Sequence, residues 1–97
     1  MTRHEIFRFR LYVAGGASNS VQAVANLGDL CREHLAGRYE IEVVDVFREP
    51  ERALAEGIFM TPTLLKLAPS PAPRKIVGTL SQKQQLMVAL GLDGVQA

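Results

Sequence analysis

The chain has 97 residues, 47% of them hydrophobic, and eleven Lys and Arg against ten Asp and Glu leave a formal charge of +1. This suits one domain spanning residues 1–97 with a packed core and argues against two domains, wholesale disorder or a coat for nucleic acid or anionic lipid. The single cysteine excludes an intramolecular disulfide, and no apolar run approaches the ~20 residues needed to span a bilayer.

Residues 6–13 alternate with period two, placing Phe7, Phe9, Leu11 and Val13 on one face and Arg8, Arg10 and Tyr12 on the other, the pattern of a strand. Ala14-Gly15-Gly16-Ala17 forms a turn, and Ser18 or Ser20 is placed to cap a helix. Along that helix Val21, Val24, Leu27, Cys31 and Leu35 make one apolar stripe, and Gly37 suits a left-handed cap. Residues 40–46 read as a second strand. Its near-continuous apolar content predicts cover on both faces.

Pro50 opens a short helix to Glu56, closed by Gly57. Thr61-Pro62-Thr63 leads into a third strand with Leu64, Leu65 and Leu67, and residues 69–73 form a proline-rich turn. A short strand follows at residues 74–78. Ser81 and Gln84 form a capping box for a closing helix that carries Leu86 and Leu90.

The resulting order, βαβαββα, predicts a mixed sheet: a helix joins the first two strands, which should be parallel, and a turn joins the last two, which should be antiparallel. That is a thioredoxin-like α/β architecture. A thiol enzyme on this fold needs a low-pKa cysteine where the first helix begins. Ala17-Ser18-Asn19-Ser20 stands there instead, and Cys31 falls in the apolar stripe, the place of a small buried hydrophobe. The residues therefore argue against the alternative of a thiol redox enzyme and predict no cofactor and no metal: Gly15-Gly16 lacks the lysine of a phosphate loop, and Asp45, Glu49 and Glu51 read as solvated charges. Met1 to Arg10, with interleaved charges, do not read as a signal peptide, so a cytoplasmic location is expected.

Five pieces at consistent spacing carry a family resemblance. They are Leu11-Tyr12-Val13-Ala14-Gly15, Asn19-Ser20-Val21, Val44-Asp45-Val46, Thr61-Pro62-Thr63-Leu64, and Arg74-Lys75-Ile76-Val77-Gly78 with Leu80-Ser81. From about Phe9 to Leu92 the chain resembles KaiB, the small clock protein of cyanobacteria. The resemblance implies a non-catalytic regulator that binds the hexameric ATPase KaiC, with a KaiA-like protein or a histidine kinase as further partners. It also implies two folds for one sequence: the thioredoxin-like monomer, and a tetrameric alternative ordered βαββααβ. A homo-oligomer, dimer or tetramer, is thus among the expected states.

By the same resemblance Arg10, Lys66, Arg74 and Lys75 match basic positions associated with subunit or partner contacts. Thioredoxin-like folds hold the proline before the third strand in cis, so a cis bond is expected between Thr61 and Pro62. Ala89 and Gly91 stand where cyanobacterial KaiB usually has Gly and Asp. Alanine favours a helix interior over glycine by about 0.8–1 kcal/mol, so Ala89 should tilt the chain toward the thioredoxin-like state. Gln22 and Glu42 replace an Arg and a Lys common in the family, which points to a diverged ATPase partner.

Overall fold

A computed structural model describes residues 5–69 and 74–92. The elements are β1 (Phe7–Val13), α1 (Ser18–His34), β2 (Tyr39–Asp45), α2 (Pro50–Ala55), β3 (Thr63–Ala68), β4 (Arg74–Val77) and α3 (Lys83–Ala89). The four strands form one sheet in the order β2-β1-β3-β4. β1 runs parallel to β2, with Leu11 opposite Val43, and antiparallel to β3, with Leu11 opposite Leu64; β3 and β4 are antiparallel. The expected thioredoxin-like order is therefore the one observed. In the alternative order α3 would be replaced by extended chain, whereas residues 83–89 are helical.

Alternation along β1 splits the core in two. Phe7, Phe9, Leu11 and Val13 meet Leu27, Leu30 and Cys31 of α1 and Leu86, Leu90 and Leu92 at the end of the chain's described part. Tyr12 points to the opposite face, with Val44, Ala53, Ile58 and Leu65 beneath α2. The expected turn at residues 69–73 lies mostly outside the described residues; Pro69 is described, and its bond to Ala68 is cis.

Four local expectations are corrected. β2 is an edge strand rather than one covered on both faces: it pairs only with β1, Val43 is 46% exposed, and Val44 alone is buried. On α1 the inward face carries Ser20, Ala23, Leu27, Leu30 and Cys31, while Val21 and Val24 are exposed. The small residues let the first turns approach the sheet closely, and the valines fall beside that contact. Neither Ser18 nor Ser20 caps α1: the cap position is Ala17, and Ser20 Oγ instead accepts the Ala14 N–H at 3.0 Å. The Ser81 capping box does not form, because α3 begins two residues later behind Gln82, with no side-chain cap.

The reason lies in the segment before α3. Leu80 is held at φ +65, a left-handed conformation costly for a branched residue, and its side chain is buried in the larger core. Asn26 of α1 donates to the Thr79 carbonyl at 2.8 Å and pins the same segment. At the other end, the Gly91 N–H reaches the Val88 carbonyl at 3.1 Å and the Leu92 N–H reaches Met87 at 2.7 Å, the paired bonds of a Schellman motif. Gly91 sits at φ +77, which this motif requires, and Leu92 is fully buried against the core that Met87 also contacts.

Candidate functional site

The end of the sheet where β1 runs into α1 gathers most of the notable chemistry. Gly15 adopts φ +54, and a Cβ there would lie 3.5 Å from the Phe47 ring. Asp45, at the end of β2, accepts the Gly15 N–H at 3.1 Å and the Phe47 N–H at 2.9 Å through the same oxygen. One carboxylate thus locks the loop that leads into α1. Across from it the Thr61–Pro62 bond is cis, as expected, and Thr63 Oγ1 donates to the Met60 carbonyl at 2.6 Å.

Around this end the fold leaves large apolar side chains in water. Phe47 is 75% exposed, Phe59 85% and Met60 62%. They border a 190 Å³ hollow with Ala14, Val46, Ile58 and Thr61. On the other side of Gly15, Val21, Val24 and Val43 line a second hollow of 360 Å³. Sequence reasoning overlooked Phe47, Phe59 and Met60. Their signal was available: big apolar residues between helix- and strand-periodic segments, next to Gly57, Pro50 and Pro62, have no core face to occupy.

The cations chosen from sequence fall in different settings. Arg10 Nε donates to Glu42 at 2.8 Å and Nη1 to Glu56 at 2.8 Å. Arg52 Nη1 completes the group by reaching Glu42 at 2.9 Å and Glu49 at 3.2 Å. The Tyr12 hydroxyl donates to Glu56, and burial together with that bond pushes its pKa up to about 12. Lys66 is not at the surface. It is 5% exposed, donates to the Leu90 carbonyl at 3.2 Å, and lies 5.8 Å from the Phe7 ring centre. A cation at a helix C-terminus meets the negative end of the dipole. Lys75 is exposed and donates to the carbonyls of Glu56 and Gly57 at 3.3 and 3.2 Å. Arg74 is exposed on β4.

Glu42 therefore completes a network rather than standing as a lone reversed charge. Hydrogen bonds from Arg52 and Arg10 bring its pKa down to about 2. In Glu56, burial raises the pKa, but the bonds from Tyr12 and Arg10 prevail and hold it low. A carboxylate near 2 when folded and ~4.3 when unfolded favours proton uptake by the unfolded chain. Its contribution is complete above about pH 5 and is lost as the pH falls toward 2. Because Glu42 is half exposed, that contribution is only about 1 kcal/mol. Glu42→Gln is expected to lose about this much in urea unfolding at pH 7, and the gap to the parent should narrow at pH 3. A gap that is constant with pH would remove the network's role.

The KaiB domain family matches residues 10–92. The chain belongs to the KaiB family. Circadian clock protein KaiB3 of Synechocystis is 43% identical over 84 residues, covering 87% of this chain and 79% of that protein. Circadian clock oscillator protein KaiB of Prochlorococcus marinus is 37% identical over 92 residues, covering 95% of this chain and 76% of its own length. Among solved structures, the N-terminal domain of Synechococcus elongatus SasA superposes with a TM-score of 0.73 at 18% identity, covering 100% of this chain and 94% of that one. Chloroplastic thioredoxin z gives a TM-score of 0.74 at 15% identity, covering 92% and 80%. At such identities the likeness is one of fold.

This KaiB-family chain keeps the thioredoxin-like frame without a thiol at the start of α1. Cys31 is fully buried 11 residues beyond Ser20, and desolvation pushes its pKa up to about 12. Native protein is expected to leave Ellman's reagent unreacted at pH 8, with one thiol per chain appearing after guanidinium unfolding. Prompt reaction of the folded chain would contradict that burial. No helix among the described residues is long and apolar enough to cross a membrane.

Proposed function

We propose that this chain is a non-catalytic, cytoplasmic regulator that docks on a KaiC-like hexameric ATPase and modulates its phosphorylation and ATPase cycle. The observation that carries this reading is the KaiB match over residues 10–92 in a chain whose α1 begins with Ser18 rather than a reactive cysteine. Arg74 and Lys75 supply exposed cations that steer an acidic partner and set register more than they add affinity. Arg10 and Lys66 act indirectly, by holding α2 and α3 in the form that docks. Gln22 and Glu42, in place of the Arg and Lys common in the family, support an ATPase that has diverged together with this chain.

The same reading includes a second, tetrameric conformation in which the segment of α3 is extended. The Thr61–Pro62 turn and residues 89–91 are its switch elements, and Ala89 favours the helical state. The test is size-exclusion chromatography of this chain with a KaiC-like ATPase from the same organism, with ATP present. Co-elution with the hexamer is expected; no complex at tens of micromolar would defeat the reading. A module that binds a sensor histidine kinase is the alternative reading. Capture of such a kinase and no ATPase would select it.

A further inference from the structure

β4 ends the sheet, and among the described residues no strand pairs with its outer side. The Gly78 N–H bonds the Pro62 carbonyl at 2.9 Å, which sets the phase of the antiparallel ladder. Bonded and non-bonded pairs alternate, so Ile76 and Arg74 turn their amides toward β3, opposite Leu64 and Lys66. Lys75 and Val77 turn theirs outward, giving two donors and two acceptors along an open edge. Beside this edge runs a groove of 380 Å³ between β4 and α3, floored by Ile76, Leu80, Leu86 and Ala89 and rimmed by Gln82 and Gln85. A free strand edge flanked by a helix, with an apolar slot between them, is the arrangement that accepts an extended peptide as an added strand.

Charge narrows the occupant. From Arg74 to Leu92 the chain carries Arg74, Lys75 and Lys83 and no Asp or Glu. Lys83 is paired with Glu33 of α1, which leaves Arg74 on the groove face with Ile76 and Lys75 on the opposite face. A second copy pairing along β4 would gather four cations into one seam, a repulsive arrangement. We infer that the β4–α3 groove binds an extended acidic segment of a partner protein by strand addition, with an apolar side chain of that segment seated against Ile76 and Leu86. This site lies apart from the apolar end around Phe47 and does not depend on the ATPase reading.

The probe is fluorescein-labelled Thr-Glu-Thr-Leu-Thr-Glu, whose Glu and Leu share one face of an added strand, titrated by anisotropy into the full chain, with Thr-Lys-Thr-Leu-Thr-Lys as its charge-reversed partner. Saturable binding of the acidic peptide, at least tenfold tighter than the basic one, is expected. Amide shifts should concentrate at residues 74–78 and 82–89. Val77→Pro removes one outward donor without touching the β3 ladder and should weaken binding at least tenfold; Arg74→Glu, on an exposed side chain, should do the same if the proline variant misfolds. Equal binding of both peptides, shifts elsewhere, or dimerisation of this chain through residues 74–78 would overturn the inference.

Discussion

Leu90→Ala should lower the unfolding free energy by about 2–5 kcal/mol, read as a drop in urea midpoint at constant m-value. Leu90 is fully buried and belongs to the larger core cluster. Its removal deletes apolar contact and leaves a cavity at the place where α3 is pressed on the sheet. The total stability of a domain this size is only about 5–15 kcal/mol, so a single truncation reaches a large share of it. The neighbouring Lys66 makes collapse of the cavity harder, since its ammonium must keep the Leu90 carbonyl as acceptor. A loss below about 1 kcal/mol would mean that α3 is held mainly by something other than its core contact.

The second large effect is expected from Ala89→Gly combined with Gly91→Asp, the residues that the family resemblance places there. The first, at the last residue of α3, costs the helix up to about 1 kcal/mol. The second puts a side chain at φ +77, costing about 1 kcal/mol more and weakening the paired bonds to Val88 and Met87. Together, about 2 kcal/mol corresponds to roughly thirtyfold in population. Backbone chemical shifts of residues 83–92 should then show a reduced helical fraction, or a second set of signals if the alternative conformation becomes populated. Unchanged helical shifts with unchanged stability would sink the proposed role of this segment as a switch.

Some of this was legible in the sequence and some was not, for identifiable reasons. The period-two pattern of Phe7 to Val13 placed β1 within a residue, because one face lies wholly in the larger core while Arg8 and Arg10 keep most of the other in contact with water. Pro50 at the first turn of α2 and the spacing of Leu86 in α3 and Leu90 at its C-cap were equally direct. Periodicity does not say which strand lies at an edge, so β2, with Ile41, Val43 and Val44, looked central. Hydrophobicity ranked Val21 and Val24 above Ala23 and Ser20, although close approach favours the smaller pair. Lys66 was placed among the contact cations by the family resemblance, which does not tell a buried position from an exposed one; its long apolar stem and a helix end within reach explain its burial. The exposed trio of Phe47, Phe59 and Met60 escaped attention because a binding surface has no internal period to betray it.

The ammonium beneath the last turn of α3 has one more consequence. If that turn lifts by a single carbonyl, a buried positive charge is left over the Phe7 ring without the one acceptor it has among the described residues. Partial fraying is therefore the least favourable arrangement available, worse than remaining seated and worse than complete departure that admits water. The closing segment should leave its berth in one event rather than unravel residue by residue, giving the end of this small protein the character of a latch.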